Sequence, residues 1–216
     1  MGTPQIVATE HWQTDHPGSR AAAVTYRGLV LASTPELDRL KRDLEAELRA
    51  RWGEATKAEI SSEPTLAAYE RHDKRFGQNY HVAMQIRSIA QKGKTIPDRS
   101  PAIEAMFMTE LKTGVLAAAQ DADQIIFPIT VDSATGDETY TRYDGVEERC
   151  KAGDQLMRDG SGAVLTSIAQ GPTAYGLVGE GTTAVTYCFY FPDGVTDDVI
   201  AQSFAYLDTC VRAFSP

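Results

Sequence analysis

The spacing of apolar residues changes twice along the chain, and this limits the fold more than any single motif does. Over residues 37–115 the apolar positions recur every three or four residues. Over 125–191 they gather into short runs rich in β-branched and aromatic side chains, cut by Gly, Asp and Pro, and over 197–214 helical spacing returns. A period near 3.6 buries one stripe of a helix, and a period of 2 buries one face of a strand. A helical block, a strand block and a closing helix able to cover one sheet face point to an α+β fold.

Local signals place the elements. Thr34-Pro35-Glu36 reads as an N-cap, a proline in the first turn and an acid at the positive helix end, with Leu37, Leu40, Leu44 and Leu48 as the buried stripe that follows. Asp38/Arg42, Glu45/Arg49 and Glu47/Arg51 are i,i+4 pairs expected on its more exposed faces. Further helices are predicted over 65–75 with Gly77 as the stop, and over 80–92 with Gly93 as the stop. Another opens at Ser100-Pro101, with Ile103, Met106, Phe107, Leu111 and Val115 as its apolar face and Gly114 within it. Strands are predicted over 24–31, 125–131, 139–143, 154–157, 163–168 and 184–191. Thr196 followed by Asp197-Asp198 caps the last helix. The first twenty residues, with His11, Asp15, His16, Pro17 and Gly18, read as an extended or irregular lead-in. Residues 1–64 are expected to pack as lead-in, strand and helix on a core of residues 65–216, the whole forming one compact unit.

A chain of 216 residues, 42% hydrophobic and 24% charged, can bury a core without disulfides or metal. Cys150, Cys188 and Cys210 form an odd set that fits neither a disulfide framework nor a close-spaced zinc site, so they read as reduced and structural. HExxH and GxxxxGK[ST] are absent, and neither metal nor cofactor is expected. No run approaches the roughly 18 apolar residues of a membrane span, and the start lacks a basic region followed by an apolar one. No membrane partner is expected, and a cytoplasmic location is.

The net charge of −9 excludes a chain that is basic throughout, yet charge is segregated. Between residues 71 and 99 stand Arg71, Lys74, Arg75, Arg87, Lys92, Lys94 and Arg99 against Asp73 and Asp98, a local +5 that leaves −14 for the rest. Such a segment either binds phosphates or is a solvated helical face paired with acids elsewhere. Arg75, Arg87 and Lys92 are the candidate nucleic-acid contacts. Lys94 and Arg99 flank the turn before the Ser100 helix, whose backbone donors make a site for phosphate or carboxylate. Gly160-Ser161-Gly162 lacks the GxSxG nucleophile pattern and reads as a turn, and His81 reads as a surface or core histidine. The segment 170–176, QGPTAYG, contains enough glycine for a ligand to approach backbone amides, or it simply connects two strands.

Several blocks resemble a B3/B4 domain, found in the β subunit of phenylalanyl-tRNA synthetase and in free-standing proteins. They are Arg87-Ser88-Ile89, Lys94, the helix start from Ser100 to Glu104, residues 110–118 (ELKTGVLAA), 151–159 (KAGDQLMRD), 163–168 (AVLTSI) and Thr182-Thr183-Ala184-Val185. The resemblance extends over roughly residues 65–214. It implies a mainly antiparallel or mixed sheet covered by helices, with tRNA or aminoacyl-tRNA as partner and hydrolytic editing of mischarged aminoacyl-tRNA as activity. It also implies Ser167 and Thr183 as catalytic residues, with Thr166, Ser167 or Thr183 orienting water or the terminal ribose and none of them fixed as a nucleophile, and Lys94, Arg99, Glu104, Gly171 and Thr173 as substrate contacts. The family's Gly-Gly-Glu stands here as Gly171-Pro172-Thr173, so the acid that recognises a tyrosine hydroxyl is missing and tyrosine specificity does not follow. A non-catalytic RNA- or protein-binding module and a hydrolase for another small ligand remain the alternatives.

Overall fold

Small and aromatic residues along Ala184–Phe191 make a strand with no polar face, and all eight are buried. Such a strand needs a hydrogen-bonded neighbour on each edge. In the computed structural model, which describes Gly2 and residues 6–215, it is the centre of a three-stranded sheet. In chain order the elements are β1 (Ile6–Ala8), α1 (Glu10–Asp15), β2 (Arg20–Arg27), α2 (Pro35–Trp52), α3 (Lys57–Ser61), α4 (Pro64–Lys74), α5 (His81–Lys92), α6 (Pro101–Thr113), β3 (Leu116–Asp121), β4 (Ile129–Ser133), β5 (Thr139–Thr141), β6 (Glu147–Arg149), β7 (Gln155–Arg158), β8 (Val164–Ser167), β9 (Gly171–Pro172), β10 (Ala184–Phe191) and α7 (Asp197–Phe214). The fold is α+β. No helix among the described residues is long and apolar enough to cross a membrane.

The chain divides into two compact units, residues 1–29 with 117–193 and residues 30–116 with 194–216. The first holds the sheets. β10 runs antiparallel to β2 and lies between β2 and β3. Thr25 and Thr186 stand opposite each other in this pairing, and their hydroxyls bond at 2.8 Å, which satisfies two polar groups inside an apolar sheet. The second sheet has the order β1-β4-β7-β8-β9 and is antiparallel except for the parallel β1–β4 pair. β5 and β6 form a separate antiparallel pair.

The second unit holds α2 to α7. Thr34, Thr56 and Thr196 accept hydrogen bonds from backbone N–H groups in the first turns of α2, α3 and α7, as short polar side chains at N-caps do. α5 stops at Gly93, whose φ of +67° suits glycine, and Leu37, Leu44 and Leu48 form the buried stripe of α2.

Four local expectations are corrected. Residues 6–20, read as part of an extended or irregular lead-in, instead hold β1, α1 and the first residue of β2, with Thr9 capping α1, while residues 1 and 3–5 of that reading lie outside the described residues. Gly114 ends α6 at φ +75° instead of lying within it. The chain then enters β3, a strand that an Ala-Ala-Ala run does not announce, because alanine favours helices and supplies no β-branched signal. Glu45 is buried, and Glu47 pairs with Lys112 at 2.5 Å while the Arg51 guanidinium lies over Trp52.

Candidate nucleic-acid interface

α5, HVAMQIRSIAQK, contains no acid, and its first turn lacks a side-chain cap. Val82, Ile86 and Ile89 bury one stripe, which turns Met84, Arg87 and Lys92 outward. Gln91 Nε2 donates to the carbonyls of Trp52 and Ala55, tying the helix to the turn between α2 and α3. Tyr80, just before α5, stacks on Tyr69 with ring centroids 4.5 Å apart, donates its N–H to Glu70 and its hydroxyl to the Gly114 carbonyl. Burial pushes the Tyr80 hydroxyl pKa well up and His81 down, so both are neutral at pH 7.

All seven bases of the 71–99 segment are exposed. Most basic side chains elsewhere are neutralised: Arg27 by Asp123, Arg39 by Glu36 and Asp43, Arg142 by Asp144, Arg158 by Glu138 and Arg212 by Asp208. Within the segment Lys74 pairs with Glu70 at 3.5 Å. The Arg75 guanidinium lies over the Phe76 ring, and Arg87 Nε donates to Gln91 at 3.0 Å. None of Arg75, Arg87, Lys92, Lys94 and Arg99 has a carboxylate partner for its side chain among the described residues.

The strap joining α5 to α6, residues 93–100, carries Lys94 and Arg99 and is held by α2. Glu45 accepts from the Ile96 N–H at 2.7 Å and from Arg49 at 3.0 Å, and Arg49 also donates to the Lys94 carbonyl. Lys41, with its side chain 8% exposed, donates to Asp98 at 2.6 Å and to Glu104 at 3.1 Å. Burial alone would lower the Lys41 pKa, but the hydrogen bonds to Asp98 and Glu104 outweigh it and raise the value. Glu104 reaches back to the Arg99 N–H at 2.6 Å. Its two oxygens are thus engaged by Lys41 and by the strap backbone, while the Arg99 side chain points to solvent.

Beside α5 lies a groove of about 290 Å³, in which Met84 and Ala83 supply accessible apolar surface over the buried side chains of Ile60 and Tyr80, and Lys57, Arg87 and Lys92 supply positive charge. Lys57 was not among the sequence candidates. It falls outside the basic segment, and only the packing of α3 against α5 brings it there.

In the sheet unit, Ser167 is fully buried, and its hydroxyl donates to Asp154 at 2.5 Å. The Thr173 hydroxyl donates to the Thr141 carbonyl and accepts from the Tyr175 N–H. The Thr173 and Ala174 N–H groups bond to the carbonyls of Leu165 and Thr141. Gly171 has φ +86°, and its carbonyl accepts from the Tyr140 hydroxyl. Thr182 is buried against Asp121, whereas Thr183 is exposed and has no side-chain partner among the described residues. Ser161 sits in a turn held by Asp159. All three cysteines are free and buried, and burial pushes each thiol up to about 12. Among the described residues no three His, Cys, Asp or Glu side chains are grouped to hold a metal ion.

No family model matches the chain, and no curated protein matches it. Among solved structures it is similar in fold to an N-terminal fragment of the phenylalanyl-tRNA synthetase β-subunit from Pyrococcus horikoshii, with a TM-score of 0.53 and 12% identity. The match covers 97% of this chain and 48% of that one, so the chain spans about half the length of the fragment.

Proposed function

We propose that this chain binds tRNA through the cationic face of its helical unit, as a B3/B4-like protein. The observation that carries the reading is the set Arg75, Arg87, Lys92, Lys94 and Arg99: exposed, without carboxylate partners among the described residues, and close in sequence on a chain whose net charge is −9. An acidic chain that leaves these cations unneutralised presents a field suited to a polyanion. The fold likeness to a fragment of a tRNA synthetase subunit supports tRNA among polyanions. α5 supplies Arg87 and Lys92, α4 ends beside Arg75, and the strap clasped by Lys41, Glu45 and Glu104 supplies Lys94 and Arg99.

Binding is favoured over ester hydrolysis by the sheet unit. The Ser167 hydroxyl is spent on Asp154, and the hydroxyl and N–H of Thr173 are spent on neighbouring backbone. Editing on this scaffold would rest on Thr183 and water held near Gly171, with positioning of an already reactive ester as the main contribution.

Equilibrium binding of tRNA across a salt series tests the reading. Four to five phosphate contacts give a slope of log K against log salt of about −4, and removing Arg87 and Lys92 together lowers its magnitude by about 1 if they share one phosphate and about 2 if each holds its own. Affinity independent of salt, or unchanged when Arg75, Arg87 and Lys92 are all replaced by Ala, refutes it. A panel of mischarged tRNAs decides the chemistry: stoichiometric binding without loss of the ester leaves a binding protein.

A further inference from the structure

The groove beside α5 differs from the rest of the cationic face because apolar surface and charge meet in it. Met84 is 52% exposed although it is large and apolar, and it lies one turn before Arg87 and two before Lys92 on the same side of α5. Ile60 and Lys57 face it from α3, which the capping box of Thr56 and Glu59 holds at its first turn. Glu70, the one acid in the lining, accepts from the Tyr80 N–H and pairs with Lys74, so it is already neutralised. Lys57 and Lys92 have no partner at all among the described residues. A volume of about 290 Å³ lies just below the roughly 300–1,000 Å³ of small-ligand sites, which limits the occupant to a small one.

We infer that this groove takes a single unpaired nucleotide of the bound RNA, its phosphate held by Lys57, Arg87 and Lys92 and its base laid against Met84 and Ala83. The inference rests on the tRNA-binding reading and narrows it. Phosphate alone would need only the cations, and an apolar ligand alone would not need three of them. A nucleotide unites an anion with a flat, weakly hydrated ring, which matches the two halves of the lining. Asn79 and Ser61, also in the lining, have side chains without partners among the described residues and offer hydrogen bonds to a base edge.

Titration of the intact chain with adenosine 5′-monophosphate, adenosine and inorganic phosphate as separate arms, read by methyl NMR at Met84 and Ala83, tests this. The monophosphate is expected to shift both methyl signals and to bind at least about tenfold more tightly than either other probe, since each lacks one half of the contacts. Lys57→Ala and Met84→Ala, both at exposed positions, are each expected to weaken monophosphate binding about fivefold or more. They should reduce tRNA affinity less than loss of Arg87 and Lys92 together. Phosphate binding as tight as the monophosphate, with the Met84 signal unmoved, overturns the nucleotide in favour of a plain anion site. Monophosphate that moves no groove signal while tRNA still binds overturns the inference and leaves the tRNA reading standing. If neither binds, both fall. A short unpaired oligonucleotide serves as a further arm: failure to compete with the monophosphate shows that the groove takes free nucleotides and not RNA, and also overturns the inference.

Discussion

Replacing Lys41 by Met tests the clasp that presents Lys94 and Arg99. The Lys41 side chain is 8% exposed and that of Glu104 2% exposed, so removal of the cation leaves a buried carboxylate whose remaining bond is the Arg99 N–H. Breaking a buried pair from one side costs about 3–5 kcal/mol. The Asp98 end of the network is 97% exposed and adds little, and the surviving Arg99 bond softens the loss, so about 3 kcal/mol is expected. Glu104→Gln keeps an acceptor and most of the packing and is expected to cost about 1–2 kcal/mol. The two losses must be less than additive, because each variant removes the same contact. Urea unfolding gives the global cost. Amide exchange at Ile96 and Arg99 gives the local one, since these N–H groups bond to Glu45 and Glu104. Because the Lys41 pKa is raised, its contribution is complete below the ordinary value of 10.5 and is lost as pH rises through the higher folded value. A Lys41→Met variant within about 0.5 kcal/mol of the parent, with Ile96 and Arg99 exchanging no faster, would refute the clasp. If the clasp holds, the same variant weakens tRNA binding although no proposed RNA contact has been changed.

Other consequences follow from single contacts. Burial alone would raise the Glu138 pKa, but N–H groups of Thr135, Glu138 and Gly136 override it and hold the carboxyl at about 2, below its usual 4.5. The stability it supplies is present above 4.5 and lost as pH falls toward 2, about 2 kcal/mol after allowance for screening, so Glu138→Gln should flatten the acid limb of the unfolding curve over that range. Gly114→Ala places a Cβ 3.0 Å from Leu66 Cδ2 at φ +75° and should destabilise by about 1–2 kcal/mol in urea unfolding. Ser167→Ala removes the bond to buried Asp154 and should cost about 1–3 kcal/mol while leaving tRNA affinity unchanged; a loss of ester hydrolysis without a loss of stability would assign Ser167 to chemistry. The three thiols should resist alkylation at pH 8 until the chain unfolds, and rapid native labelling would contradict their burial.

What the sequence alone determined here is local. Thr34-Pro35, Thr196 and Gly93 mark helix ends because a cap or a left-handed glycine acts within a few residues, and 184–191 declares a buried strand because apolar and aromatic side chains dominate both of its faces and none is charged. The concentration of bases in 71–99 was legible as a count along the chain, but whether they pair with acids elsewhere was not, and the fold leaves each of them exposed. Tertiary structure decided what depends on distant partners. It made an Ala-rich segment into β3 by lending it the edge of β10, and it buried Lys41 and Glu45 by laying the 93–100 strap across α2. It also completed the groove by bringing Lys57 to Arg87 and Lys92, and it committed the Thr173 amide and the hydroxyls of Ser167 and Thr173 to internal bonds. A charge pattern reveals which groups a chain carries; whether a given group faces solvent or a buried partner depends on segments tens of residues away that only folding brings together.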